Sequence, residues 1–168
     1  ILSRISRSKN LEVSIDAFLS SDFKSENLDI IGGPLNQKDV RYQSYLKEKY
    51  RIYNNVKFIG KVPYEKLPSF MKNYDVNFNS AGTGFFDKSV LETLSAGLIN
   101  FYHNQDFDSL YLDHSKKYYF TGKEDLTEKI NNLKFLNDND LKELFIILNK
   151  NLEQHSLETL GDRLSKFI

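Results

Sequence analysis

Short apolar runs closed by turn formers alternate along this chain with longer stretches whose apolar residues recur at helical spacing. Leu28-Asp29-Ile30-Ile31 stops at Gly32-Gly33-Pro34, and Val56-Lys57-Phe58-Ile59 stops at Gly60. Asp75-Val76-Asn77-Phe78-Asn79 runs into Ser80-Ala81-Gly82, Leu98-Ile99-Asn100-Phe101-Tyr102 follows Gly97, and Tyr118-Tyr119-Phe120 ends at Thr121-Gly122. Each is of strand length and rich in β-branched or aromatic residues, so each predicts a strand. The opening Ile1-Leu2-Ser3-Arg4 has no Met and no turn before its apolar start. It reads as a chain cut at or inside a first strand, with more protein ahead of it.

The intervening stretches predict helices. Leu11, Ile15, Phe18 and Leu19 share one face; Tyr42, Tyr45, Leu46 and Tyr50 share another, as do Leu67, Phe70 and Met71. Val90, Leu91 and Leu94 follow Asp87, a good N-cap, and Gly97 closes that helix. Leu141, Leu144, Phe145, Leu148 and Leu152 form a last stripe, of the kind that faces a core. Strand alternating with helix means a parallel sheet covered on both faces. The expected fold is α/β, a Rossmann-like doubly wound domain of five or six strands spanning residues 1–168. Ligands of such sheets bind at the carboxyl ends of the strands, so the residues just after each strand are the ones to examine.

Composition narrows the classes. The 168 residues carry 23 Lys+Arg against 23 Asp+Glu, so nothing pulls the whole chain toward nucleic acid. No Cys is present, which excludes a disulfide framework, a thiolate zinc site and a cysteine nucleophile. No apolar run approaches a membrane span. Thirteen Phe and ten Tyr argue against disorder. His103, His114 and His155 are scattered, and no pair has metal-ligand spacing on a helix.

After the first strand, Arg4-Ile5-Ser6-Arg7-Ser8-Lys9-Asn10 puts three cations and no acid in one loop. Such a loop suits a phosphate or diphosphate, or is a solvated basic turn. Gly32-Gly33-Pro34 either brings backbone up to a ligand or makes an ordinary tight turn. After the fourth strand, Gly82-Thr83-Gly84 leads through Asp87-Lys88-Ser89-Val90 into a helix carrying Glu92. Backbone N–H groups at a helix start attract anions. The dinucleotide pattern GxGxxG fits Gly82 and Gly84, and the P-loop pattern fits Gly82, Lys88 and Ser89; in both, the remaining Gly is Asp87. A carboxylate there repels phosphate, so neither motif stands. Glu92 either accepts hydrogen bonds from two ribose hydroxyls or is a partly exposed helix residue.

The ordered set of motifs resembles a known family. Ser3-Arg4-Ile5-Ser6-Arg7-Ser8-Lys9-Asn10 is similar to the Gly-Arg-Leu-x-x-x-Lys-Asn/Gly signature of the donor-binding, C-terminal half of GT-B glycosyltransferases of the retaining family 4 type. Ile30-Ile31-Gly32-Gly33-Pro34 looks like that family's Ile-Val-Gly-x-Gly-Pro. Val56-Lys57-Phe58-Ile59-Gly60-Lys61-Val62 looks like its Val-x-Phe-x-Gly-x-Val, and Leu91-Glu92-Thr93-Leu94-Ser95-Ala96-Gly97 like its Leu-Glu-Ala-Met-Ala-x-Gly. The resemblance covers nearly the whole chain. It departs at one functional position. The family's Glu-x7-Glu motif needs a Glu where this chain has Gly84. Ser3 replaces a Gly, and Ile99 a Pro.

The resemblance implies a domain that binds a UDP- or GDP-sugar and transfers a hexose, with retention, to a glycan or lipid-linked acceptor. Arg4 and Lys9 would stabilise the leaving diphosphate, helped by backbone N–H groups near Ser89 and Val90 and by Lys88. The backbone at Lys61 and Val62 would hold the base, Gly32 and Gly33 would approach the donor, and Glu92 would take the ribose. With Gly84 lacking a carboxylate, Asp87 is the candidate for the sugar hydroxyls. No metal or other cofactor is implied, and no nucleic acid. The resemblance places an acceptor-binding domain ahead of residue 1, and the protein in the cytoplasm or at the inner membrane face. A fragment without its other half would bind nucleotide and transfer poorly. The competing readings are a GT-B-like nucleotide-sugar epimerase, a catalytically silent nucleotide-sugar module and a degenerate P-loop.

Overall fold

In the computed structural model, which describes residues 1–84 and 87–153, four parallel-paired strands are joined through the start of the chain. β1 (Leu28–Ile31) pairs in parallel with β2 (Val56–Gly60), and β3 (Val76–Asn79) with β4 (Ile99–Tyr102). Residues 1–5 run between the two pairs. Ile31 donates its N–H to Ile1 and accepts from Ser3, while Ile5 donates to Gly33. On the other side, the Leu2 N–H donates to the Asn77 side chain of β3 at 2.9 Å. The spatial order is therefore β2, β1, the opening segment, β3, β4, which is the doubly wound order of a Rossmann-like sheet.

Two expected strands are shorter than their sequence suggested. The opening segment makes one parallel bridge, Leu2 to Ile31, and Tyr119 makes one with Tyr102. In the first case the Asn77 amide takes the place of a backbone ladder. In the second, Tyr118 closes a helical turn, so only the next two residues remain to pair.

The helices follow from the apolar periodicity. α1 (Leu11–Ser20) buries Leu11, Ile15 and Phe18, and α2 (Gln37–Lys49) buries Tyr42 and Leu46. Tyr45, expected on the same face, is half exposed and stacks on Tyr42. α3 (Leu67–Met71) and α4 (Lys88–Ser95) follow β2 and β3. Short helices α5 (Asp108–Tyr111) and α6 (Ser115–Tyr118) precede α7 (Lys123–Asn131) and α8 (Asp138–Glu153). Leu144 and Leu148 bury the stripe of α8, and Asp138 opens that helix. His155 lies outside the described residues. No helix among those described is long and apolar enough to cross a membrane.

The two faces of β3 and β4 differ. Phe78 and Phe101 stack at 6.0 Å on one. On the other, Asn77 donates to Asn100 Oδ1 at 2.7 Å, and the Thr93 hydroxyl of α4 donates to the same atom at 2.7 Å. All three residues are buried. Buried amides persist when their hydrogen bonds are met, and here they tie α4 and the opening segment to the strands.

Candidate functional site

Asn10 has φ 46° and ψ 41°, a left-handed conformation between the turn Arg7–Lys9 and α1. Asn and Gly accommodate that region at low cost. This turn sends Lys9 across the strand ends, where its Nζ lies 2.6 Å from Asp87 Oδ2. Both side chains are largely buried, at 14% and 13% exposure. Asp87 also N-caps α4: its Oδ1 accepts the Ser89 N–H at 3.2 Å and the Ser89 hydroxyl at 2.9 Å. Asn79, at the end of β3, donates to Oδ2 at 3.1 Å. Burial by itself would raise the Asp87 pKa. The hydrogen bonds from Lys9, Asn79 and Ser89, with the Lys9 charge, outweigh it and hold the carboxyl below its ordinary value.

This geometry corrects two expectations. The N–H groups of Ser89 and Val90 are not open to an anion, because both donate to Asp87, one to its side chain and one to its carbonyl. Four donors also fill the four lone-pair positions of the Asp87 carboxylate. Asp87 is thus a helix cap and an ion-pair partner, and a sugar hydroxyl could reach it only where one of these donors gives way. Val90 is fully buried, so its side chain belongs to the core.

Glu92 lies one turn further along α4, half-buried. Burial, then the negative charge of Asp87, raise its pKa, and Lys88 at the first position of the helix partly offsets this. Gly84 is exposed in the loop before the helix, at φ 93°. Its N–H donates to Asp106 Oδ2 at 3.1 Å. Sequence reasoning missed Asp106. The usable signal was its place four residues after the end of β4, under the same strand-end rule that singled out the other loops. His103, nearer in sequence, is tied to the neighbouring segment: its Nδ1 lies 2.8 Å from the Phe120 carbonyl and its ring stacks on Tyr119.

A second group gathers at the ends of β1 and β2. A Cβ on Gly32, whose φ is 130°, would lie 1.9 Å from the Ser3 carbonyl oxygen. The glycine is needed for the opening segment to pass. A Cβ on Gly33 would meet the Lys61 side chain at 2.9 Å, so that stem lies across Gly33. Val62 is half-buried against Ile31, Leu67, Met71 and Leu98. Arg4 is exposed, and its Nε reaches the Ser6 hydroxyl at 3.4 Å. The structure therefore collects Lys9, Asp87, Lys88, Ser89 and Glu92 at the α4 end, and Gly32, Gly33, Lys61 and Val62 at the β2 end. It gives Arg4 and Lys9 different partners. Among the described residues no group of three or more His, Asp and Glu side chains is placed to hold a metal.

A Rossmann-like sheet brings these cations and the carboxylate to its strand ends, where ligands of such sheets bind. The sequence matches the family profile of glycosyl transferases group 1 over residues 1–151, and the chain belongs to that family. No curated protein matches it. Solved structures share the fold. The Anabaena protein Alr3699/HepE in complex with UDP superposes with a TM-score of 0.82 at 17% identity, over 99% of this chain and 46% of that one. The catalytic domain of cholesterol-alpha-glucosyltransferase from Helicobacter pylori gives 0.75 at 18% identity, covering 93% and 96%. The pneumococcal O-GlcNAc transferase GtfA, in complex with UDP and GlcNAc, gives 0.72 at 14% identity, covering 99% and 34%. The chain thus spans about a third of GtfA and under half of HepE. It is a glycosyltransferase domain with the architecture of one half of a GT-B fold.

Proposed function

We propose that this chain binds a nucleoside diphosphate sugar across its strand ends and forms the donor half of a retaining, metal-independent hexosyltransferase. The observation that carries the reading is the convergence of Lys9, Lys88 and the half-buried Glu92 around the start of α4. UDP is the first nucleotide to try, since HepE and GtfA were each captured with it. Negative charge builds on the leaving diphosphate as the bond to the sugar lengthens. Arg4 and Lys9 stabilise it, Lys9 exchanging Asp87 for phosphate. Loss of Arg4 costs about 3 kcal/mol of barrier, roughly a hundredfold in rate.

In this reading Glu92 accepts hydrogen bonds from the ribose hydroxyls, and the backbone at Lys61 and Val62 holds the base beside Gly32 and Gly33. Asp106 brings a carboxylate beside Gly84, from which it can take sugar hydroxyls. The acceptor is a glycan or a lipid-linked sugar held mainly by a further domain. Support for that domain is the share of GtfA and HepE that this chain leaves uncovered. The setting is the cytoplasm, at the inner membrane face where the acceptor is lipid-linked. A catalytically silent nucleotide-sugar module is the second reading. Gly84 and the committed Asp87 favour it.

The test is thermal stabilisation of the chain by UDP, GDP and ADP, with and without magnesium. A nucleotide at 100 times its dissociation constant adds about 2.7 kcal/mol. The expected result is a magnesium-independent shift with one diphosphate, lost in Arg4→Ala and Glu92→Ala. A folded sample that responds to none of them refutes the reading. Sugar transfer separates the donor half from the silent module, and full turnover by this chain alone would overturn the need for a further domain.

A further inference from the structure

A groove of about 510 Å3 lies between the turn after the opening segment and the first half of α2. Arg4, Arg7, Lys38 and Arg41 line it, against one carboxylate, Asp39. In a chain of zero formal net charge this is a strong local excess of one sign. Asp39 offsets one of the four charges: the residue is buried, and its Oδ2 also accepts the Leu35 N–H at 3.3 Å, so an excess of positive charge remains. None of the four cations forms an ion pair among the described residues. Glu12, which accepts from the Tyr42 hydroxyl, is the other carboxylate nearby; four cations still outnumber these two, and like charges in excess repel one another, a cost that a bound anion relieves.

The groove is also built to hold an anion in place. The Arg7 guanidinium sits 5.0 Å from the Tyr42 ring centroid and 5.6 Å from that of Tyr45. Cation–π contact with these rings holds the guanidinium in place, and its N–H groups suit a planar or tetrahedral oxyanion. This also accounts for Tyr45 lying half exposed. The Ser6 and Ser8 hydroxyls, 2.9 Å apart, share one hydrogen bond, which leaves one O–H donor on the same wall. The groove has room for an organic group beside a phosphate.

We propose that this groove binds a phosphate ester, with Arg7, Lys38 and Arg41 around the phosphate, and that the ester is the acceptor of the transfer. The acceptor role rests on the donor reading above, because Arg4 would stand between the two ligands. Phosphate ester binding itself does not depend on it. A soluble ester and a phospholipid headgroup present the same chemistry, and the test separates them.

The chain is titrated with glycerol 3-phosphate, and separately with phosphatidylcholine vesicles with and without phosphatidylglycerol. Each titration is run with and without saturating UDP. We expect salt-sensitive binding of glycerol 3-phosphate, or of the phosphatidylglycerol vesicles alone if the source is lipid, and persistence of that binding in UDP. The exposed pair Lys38→Glu with Arg41→Glu should weaken it by roughly tenfold or more and leave UDP binding unchanged. The groove is refuted if neither probe binds, or if the charge-reversed protein binds as the parent does. Complete displacement of the probe by UDP assigns these residues to the donor site and also overturns the proposal. Probe binding by a folded chain that ignores every nucleotide keeps the groove and removes the donor reading, with the acceptor role.

Discussion

Replacing Lys9 by Met removes a charge while keeping an aliphatic stem of similar length. The Asp87 carboxylate, at 13% side-chain exposure, loses its only ionic partner among the described residues but keeps Asn79 and both groups of Ser89. Hydrogen bonds to charged groups contribute about 1.5–3 kcal/mol, and breaking a buried pair costs about 3–5. With three donors still in place the lower range applies, so about 2 kcal/mol is expected. For a domain of this size that lowers Tm by roughly 4–8 °C. The pH dependence follows from the Asp87 pKa, which lies below its unfolded value. A depressed carboxyl contributes stability that is present above the unfolded pKa, about 3.9, and is lost as pH falls through the folded one. The gap between parent and Lys9→Met should therefore be full at pH 7 and narrow as pH is lowered below about 4. Urea unfolding followed by circular dichroism across that range measures it. Equal stability of the two proteins at pH 7, or a gap that stays constant into acid, refutes the view that this pair anchors the turn to α4.

Asp87→Asn keeps the N-cap, since Asn caps about as well as Asp, and releases Lys9. It should tighten UDP binding several-fold by removing the competitor for the ammonium, a change that calorimetric titration would resolve. Gly32→Ala drives a Cβ to 1.9 Å from the Ser3 carbonyl at a φ of 130°. A loss of about 3 kcal/mol or more is expected, and an unchanged urea midpoint would contradict the close passage of the opening segment. Asn77→Ala strips partners from the Leu2 N–H, Asn100 and Thr93, which should cost about 2–4 kcal/mol. Hydrogen exchange should then rise at the amides of Leu2 and Ser3 ahead of the rest of the sheet.

The apolar pattern by itself determined most of the strands and helices and the parallel sheet, and it directed the search for a site to the strand ends. Strand-length runs and helical stripes are local, and their burial follows from period alone. Asp87 as a cap and Gly97 as a helix stop were legible for the same reason, because both act within a turn of their own helix. The family motifs were legible because each is contiguous, and Asn10 shows why one position takes Asn or Gly. What no reading along the chain could decide is where side chains from distant segments meet. Lys9 and Asp87 are 78 residues apart, and their pairing makes the cap of α4 an ion-pair partner as well. Asp106 reaches Gly84 across 22 residues. Arg7 finds Tyr42 and Tyr45 from another element, and so makes a basic groove from a loop and a helix that looked unrelated in sequence. Hydrogen bonds and ion pairs depend on distance in space, and the packing of the whole sheet sets those distances.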